Sequence, residues 1–93
     1  MGNKPKTFSL LWGSGIVEEE AQIQCEYHLP TIQLLKFTAG QARGRYEIRF
    51  CHYNHTGQFQ RSPLILDAED THRMKQALEQ TPKLKKFLDQ LVK

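Results

Sequence analysis

Three short groups of residues carry the side-chain types from which chemistry is usually made. Gly13-Ser14-Gly15 pairs a hydroxyl with two glycines, but it lacks the spacing and the lysine that a phosphate-binding loop requires. Cys51, His52 and His55 place a thiol and two imidazoles close together. A closed metal site takes four ligands, and no fourth stands at ligand spacing, so the three read as strand and turn residues. Glu18-Glu19-Glu20 follows a glycine turn and reads as a solvated hairpin more than as a catalytic carboxylate group. No nucleophile with a base and no pair of tuned carboxylates is evident. The expectation is a binding protein with no catalytic residue, no cofactor and no metal site.

The stretch from Lys36 to Arg61 is different. It carries five basic residues, Lys36, Arg43, Arg45, Arg49 and Arg61, against one acid, Glu47, and interleaves them with Tyr53, Gln58, Phe59 and Gln60. Single-stranded nucleic acid calls for this mixture, because cations neutralise phosphates while exposed rings stack on bases of any sequence. The competing reading is that arginines on the solvent face of a sheet only solubilise it, with Tyr46 and Phe50 turned into the core.

Size and composition limit the options. A chain of 93 residues has room for one core. Hydrophobic residues make up 39% and charged residues 25%, enough for a folded domain and too patterned for a disordered one. The net charge of +3 gives no global electrostatic argument, so the uneven distribution of charge carries more meaning than its total. Met1 to Lys6 lacks the apolar stretch of a signal peptide, and no run approaches the length of a membrane span. Cys25 and Cys51 are too few for a disulfide framework and are expected to be reduced. A cytoplasmic protein without membrane association is expected.

The elements that must position these residues follow from periodicity. Residues 1–6 read as a flexible lead to a single domain, 7–93. Thr7 to Trp12 alternates as a first strand, and Gly13-Ser14-Gly15 as the turn after it. Ala21 to Leu29 alternates strictly and predicts a half-buried strand. Thr31 to Thr38 resumes after Pro30, and Gly40 to Gly44 turns the chain back. In Arg45 to Tyr53, the residues Tyr46, Ile48, Phe50 and His52 share one face, and Glu47, Arg49, Cys51 and Tyr53 the other. Gln58 to Leu66 predicts one more strand, with Pro63 marking a bulge or an edge. Asp67 is a good N-cap for a helix over 68–80. Thr81-Pro82 restarts the helical pattern, either as a second helix or as a kink in one long helix. The fold class is therefore α+β: an antiparallel meander of four to five strands followed by one kinked or two C-terminal helices. The helices are expected to cover one sheet face, leaving the face that carries Arg49 to water or a partner.

The order of elements over residues 32–92 resembles the PC4-like family of single-stranded-DNA-binding transcriptional coactivators. In that family a strand of the form acidic-Ile-Arg precedes a turn, a basic strand ending in a short Ile/Leu motif, and an amphipathic helix. Glu47-Ile48-Arg49 and Leu64-Ile65-Leu66 occupy those places here. The resemblance implies a homodimeric regulator of transcription that binds single-stranded DNA or RNA. It implies that Lys36, Arg45, Arg49 and Arg61 face phosphates, with Arg43 alongside, and that Tyr53 and Phe59 stack on bases. Leu84, Phe87, Leu88 and Leu91 would form a dimer or partner interface. The sequence departs from the pattern in the loop 54–62, which has one cation, and in residues 7–29, which add strands. A second reading, from a different class, is a protein–protein module that docks through its C-terminal amphipathic helix while the basic sheet solubilises.

Overall fold

A computed structural model describes residues 6–61 and 63–93. The described residues form five strands and two helices, in the order β1 (Thr7–Leu10), β2 (Gly13–Gln22), β3 (His28–Ala39), β4 (Tyr46–Asn54), β5 (Leu64–Asp67), α1 (Ala68–Leu78) and α2 (Pro82–Val92). The strands pair antiparallel in sequence order, so the sheet is an uninterrupted meander and the α+β class holds. Short connections between successive strands make every pairing local, which is the simplest topology such a chain can adopt.

The core lies on one face only. Phe8, Val17, Leu35, Phe37 and Ala42 are buried, with Leu10 and Trp12 packed against them. Phe8 and Phe37 meet edge to face at 4.8 Å between ring centroids. Ala42, in the β3–β4 turn, donates its backbone N–H to the Trp12 carbonyl at 2.8 Å. The β1–β2 and β3–β4 turns are thereby pinned together, and the sheet curls over this cluster.

Several boundaries differ from the periodicity. The first turn falls at Leu11 and Trp12, while Gly13 and Gly15 lie inside β2. Their role is close approach: a Cβ on Gly15 would collide with the Lys36 carbonyl, so a backbone without side chain is needed where β2 crosses β3. The alternating segment 21–29 is not one strand. β2 ends at Gln22 and β3 begins at His28, and the connection between them leaves Ile23 and Tyr27 in water. Alternation alone does not separate a strand from the hairpin that joins two strands. Of the segment 58–66, Phe59 makes an isolated bridge to Tyr53, and regular pairing resumes at Leu64, next to Pro63 on the edge strand β5; Ser62 lies outside the described residues, as do residues 1–5 of the expected lead.

The C-terminal segment is two helices. Asp67 caps α1 as expected, accepting the Asp70 N–H at 2.7 Å. Pro82 opens α2, but Thr81 supplies no side-chain cap; its hydroxyl donates back to the Leu78 carbonyl at 3.1 Å. The expectation that the helices cover a sheet face is not met. The helix pair meets the sheet chiefly where α1 continues from β5, and no residue of either helix is buried.

The faces of β4 are also reversed from expectation. Glu47 and Arg49 are the buried residues, while Tyr46 is 45% and Phe50 36% exposed. The sheet curls around the polar face of β4, and the residues of its apolar face stay partly or largely exposed.

Candidate nucleic-acid interface

The inward face of β3 and β4 carries a polar cluster centred on Gln33, which is 1% exposed. Its Nε2 donates to Glu20 Oε1 at 2.8 Å and to the Tyr53 hydroxyl at 2.9 Å. Its Oε1 accepts from Arg49 Nε at 2.8 Å and from Cys51 Sγ at 3.6 Å. The β-ladder explains the meeting: Gln33 lies directly opposite Arg49, Thr31 opposite Cys51 and Leu29 opposite Tyr53, all with side chains on one face. A buried amide can satisfy a buried guanidinium and three further polar groups because it both donates and accepts.

A layer of rings and cations covers this cluster. The Arg49 guanidinium lies 4.7 Å from the centroid of Phe59, and Phe59 meets Tyr53 edge-on at 5.4 Å. Lys6 Nζ stands 4.6 Å from the Tyr53 centroid and forms an ion pair with Glu20 at 2.8 Å. Phe59 is held there by the bridge between its backbone and that of Tyr53, and it leaves 41% of its surface in water. The turn before it is tied by Asn54, whose Oδ1 accepts from the N–H groups of Thr56 and Gln58.

Two groups in the cluster have displaced protonation equilibria. Burial pushes the Glu20 carboxyl up, but hydrogen bonds from Lys6 and Gln33, together with the Lys6 and Arg49 charges, outweigh it and hold the group below the ordinary carboxylate value. Burial raises the Cys51 thiol, with the neighbouring Arg49 opposing it. Cys51 is therefore a neutral donor to Gln33 and a poor nucleophile at neutral pH.

The residues expected to bind nucleic acid are divided among five places. Arg49, Tyr53 and Phe59 come together in the cluster, yet Arg49 is only 7% exposed and serves as the floor under the Phe59 ring. Arg45 pairs with Asp67 at 3.0 Å and Glu47 at 3.6 Å, while the Trp12 indole N–H donates to Glu47 at 3.1 Å. Together with Asp70 these groups line an open hollow of about 590 Å³ that is more acidic than basic. Arg43 is exposed in the β3–β4 turn, and Arg61 is exposed just beyond Phe59. Lys36 lies on the opposite face of the sheet, across from Tyr46. Lys6 was missed, because a lysine in an aperiodic lead gives no sign that its chain folds onto β2; the Lys6 carbonyl accepts the Val17 N–H at 2.8 Å.

His52 meets His28 edge-on at 6.0 Å, and no group of three or more metal-ligating side chains forms among the described residues. Cys25 and Cys51 are both free thiols. No helix among the described residues is long and apolar enough to cross a membrane. No family model, no curated protein and no solved structure matches the chain.

Proposed function

We propose that the chain binds single-stranded nucleic acid through the ring-and-cation layer over Gln33, with Phe59 and Tyr53 as the stacking platform and Arg61, exposed just beyond Phe59, as the group that meets phosphate. The reading rests on one observation: a half-exposed Phe59 ring is held between Arg49 and Tyr53, with the Lys6 ammonium over the Tyr53 ring. A ring fixed in advance loses little entropy when a base stacks on it, and stacking is worth about 1–3 kcal/mol per base. In this reading Arg49 positions Phe59 and does not neutralise phosphate, and Arg45 is held by its two carboxylates. The PC4-like pattern of β4 and β5 supports a role as a transcription-associated regulator, and the two free cysteines fit a cytoplasmic setting.

Fluorescence anisotropy with a labelled single-stranded oligothymidine at low salt tests the reading. Saturable binding that weakens as salt rises is expected, with a loss of about tenfold or more in Phe59→Ala and a smaller loss in Arg61→Ala. Arg45→Ala should leave affinity within about twofold. Absence of saturable binding, or affinity unchanged by Phe59→Ala, would overturn it.

A further inference from the structure

The ring of Tyr53 already carries a cation of this chain. Lys6 Nζ lies 4.6 Å from the Tyr53 ring centroid, within cation–π range, and donates to both carboxylate oxygens of Glu20 at 2.8 and 3.0 Å. Gln33 Nε2 joins the other two members, donating to Glu20 Oε1 and to the Tyr53 hydroxyl. Lys6, Glu20, Gln33 and Tyr53 thereby close a circle of contacts. The backbone of the lysine is fixed as well. Its carbonyl accepts the Val17 N–H at 2.8 Å, just before β1 pairs with β2, the strand that also carries Glu20. Both ends of the Lys6 side chain are therefore held, its backbone by one part of β2 and its ammonium by another.

The position of that ammonium obstructs a ligand. A base in van der Waals contact with the ring, about 3.5–4 Å away, needs the space that the ammonium fills. Phe59 differs. Arg49 stands 4.7 Å from its centroid, yet 41% of the residue remains in water. The two rings of the platform are unequal in the free protein, one open and one covered. Lys6 is not locked in place, however. Its side chain is 49% exposed and that of Glu20 24%, and an ion pair so open to water holds weakly.

We infer, resting on the reading of Phe59 and Tyr53 as a platform for bases, that Lys6 is an autoinhibitory strap: its ammonium occupies the place on Tyr53 that a second base takes. A single strand stacks first on Phe59, and stacks on Tyr53 only as Lys6 leaves Glu20. Part of the stacking energy at Tyr53 is spent on displacing the strap, so the free protein binds more weakly than its two rings allow.

Lys6→Ala combined with Glu20→Gln removes the strap without changing net charge, and the new side chain keeps an acceptor for Gln33 Nε2. Fluorescence anisotropy at one low salt concentration compares this variant with the unaltered chain, on a labelled oligothymidine and on an abasic strand of equal length. The variant should bind oligothymidine about tenfold more tightly, because a second ring is open to stacking, while affinity for the abasic strand stays within about twofold. Equal or weaker affinity for oligothymidine overturns the strap. An equal gain on both strands also overturns it, since the gain is then one of charge and not of stacking. Phe59→Ala, added to each chain, tells the two failures apart. If it weakens both chains while the strap variant shows no gain, the strap alone is wrong. If neither chain binds saturably, the strap and the platform are both wrong.

Discussion

Arg49 donates its Nε–H to Gln33 Oε1 at 2.8 Å across the β3–β4 ladder, and both residues are more than nine-tenths buried. A guanidinium brought so far out of water needs a partner that accepts without adding strain, and Gln33 is the strand neighbour that supplies it. Removing that partner leaves an arginine buried with its donor unsatisfied.

Gln33→Ala is therefore expected to destabilise the fold by about 2–3 kcal/mol, because it orphans Arg49, Tyr53 and Cys51 contacts at once. Urea denaturation followed by circular dichroism measures this. A double change, Gln33→Leu with Arg49→Met, should recover part of the loss, since apolar groups of similar volume satisfy themselves by packing.

At Gly15 the expected effect comes from the backbone. A Cβ there would run into the Lys36 carbonyl, and neither strand can yield without breaking the β2–β3 pairing. Gly15→Ala should cost more than about 2 kcal/mol, while Gly57→Ala, where open space surrounds the position, should cost no more than about 1 kcal/mol from its positive φ. Thermal melts of the two variants separate close approach from turn conformation.

The pH dependence follows from Glu20. Its carboxyl titrates below the ordinary value when folded, so it binds fewer protons than the unfolded chain in that range. The stability it contributes is present above the unfolded pKa and is lost as pH falls through the folded one. Unfolding free energy measured from about pH 6 down to about pH 3 should decline less steeply in Glu20→Gln than in the unaltered chain. Equal slopes would show that Lys6 does not hold Glu20 in solution.

Asp67 does two things: it caps α1 through Asp70 and holds Arg45 at 3.0 Å. Asp67→Ala should cost about 1 kcal/mol, mostly from the cap, because the ion pair is largely in water. Asp67→Asn, which keeps the cap acceptor and drops the charge, should recover most of it. Helical ellipticity through a thermal melt reports both.

The sequence was most informative where local rules act alone. Asp67 before an acidic first turn stops β5 and starts α1, because capping is decided within a few residues, whereas Thr81-Pro82 left one kinked helix or two open and the tertiary structure gives α2 as a separate helix. The period-2 pattern of Tyr46 to Tyr53 sorted the residues of β4 into its two faces, without deciding which face is buried. Of the expected site, Arg49, Tyr53 and Phe59 do meet, since two lie on one strand face and the third bridges to it across a tied turn.

Which face turns inward was settled only in three dimensions. Tyr46 and Phe50 looked like core by hydropathy, but curl of the sheet over Phe37 and Leu35 buried Glu47 and Arg49 instead. Lys6 reached Tyr53 by folding of an aperiodic lead onto β2, and Lys36 fell behind the sheet because its strand parity opposes that of Gln33. Local propensity and alternation thus determined the antiparallel meander of four to five strands and the helical C-terminal segment, but not β2, whose residues read as a turn and an acidic hairpin. The direction of curl, which arises from packing between residues far apart in the chain, decided which cations are buried, which are paired and which remain free to meet a ligand.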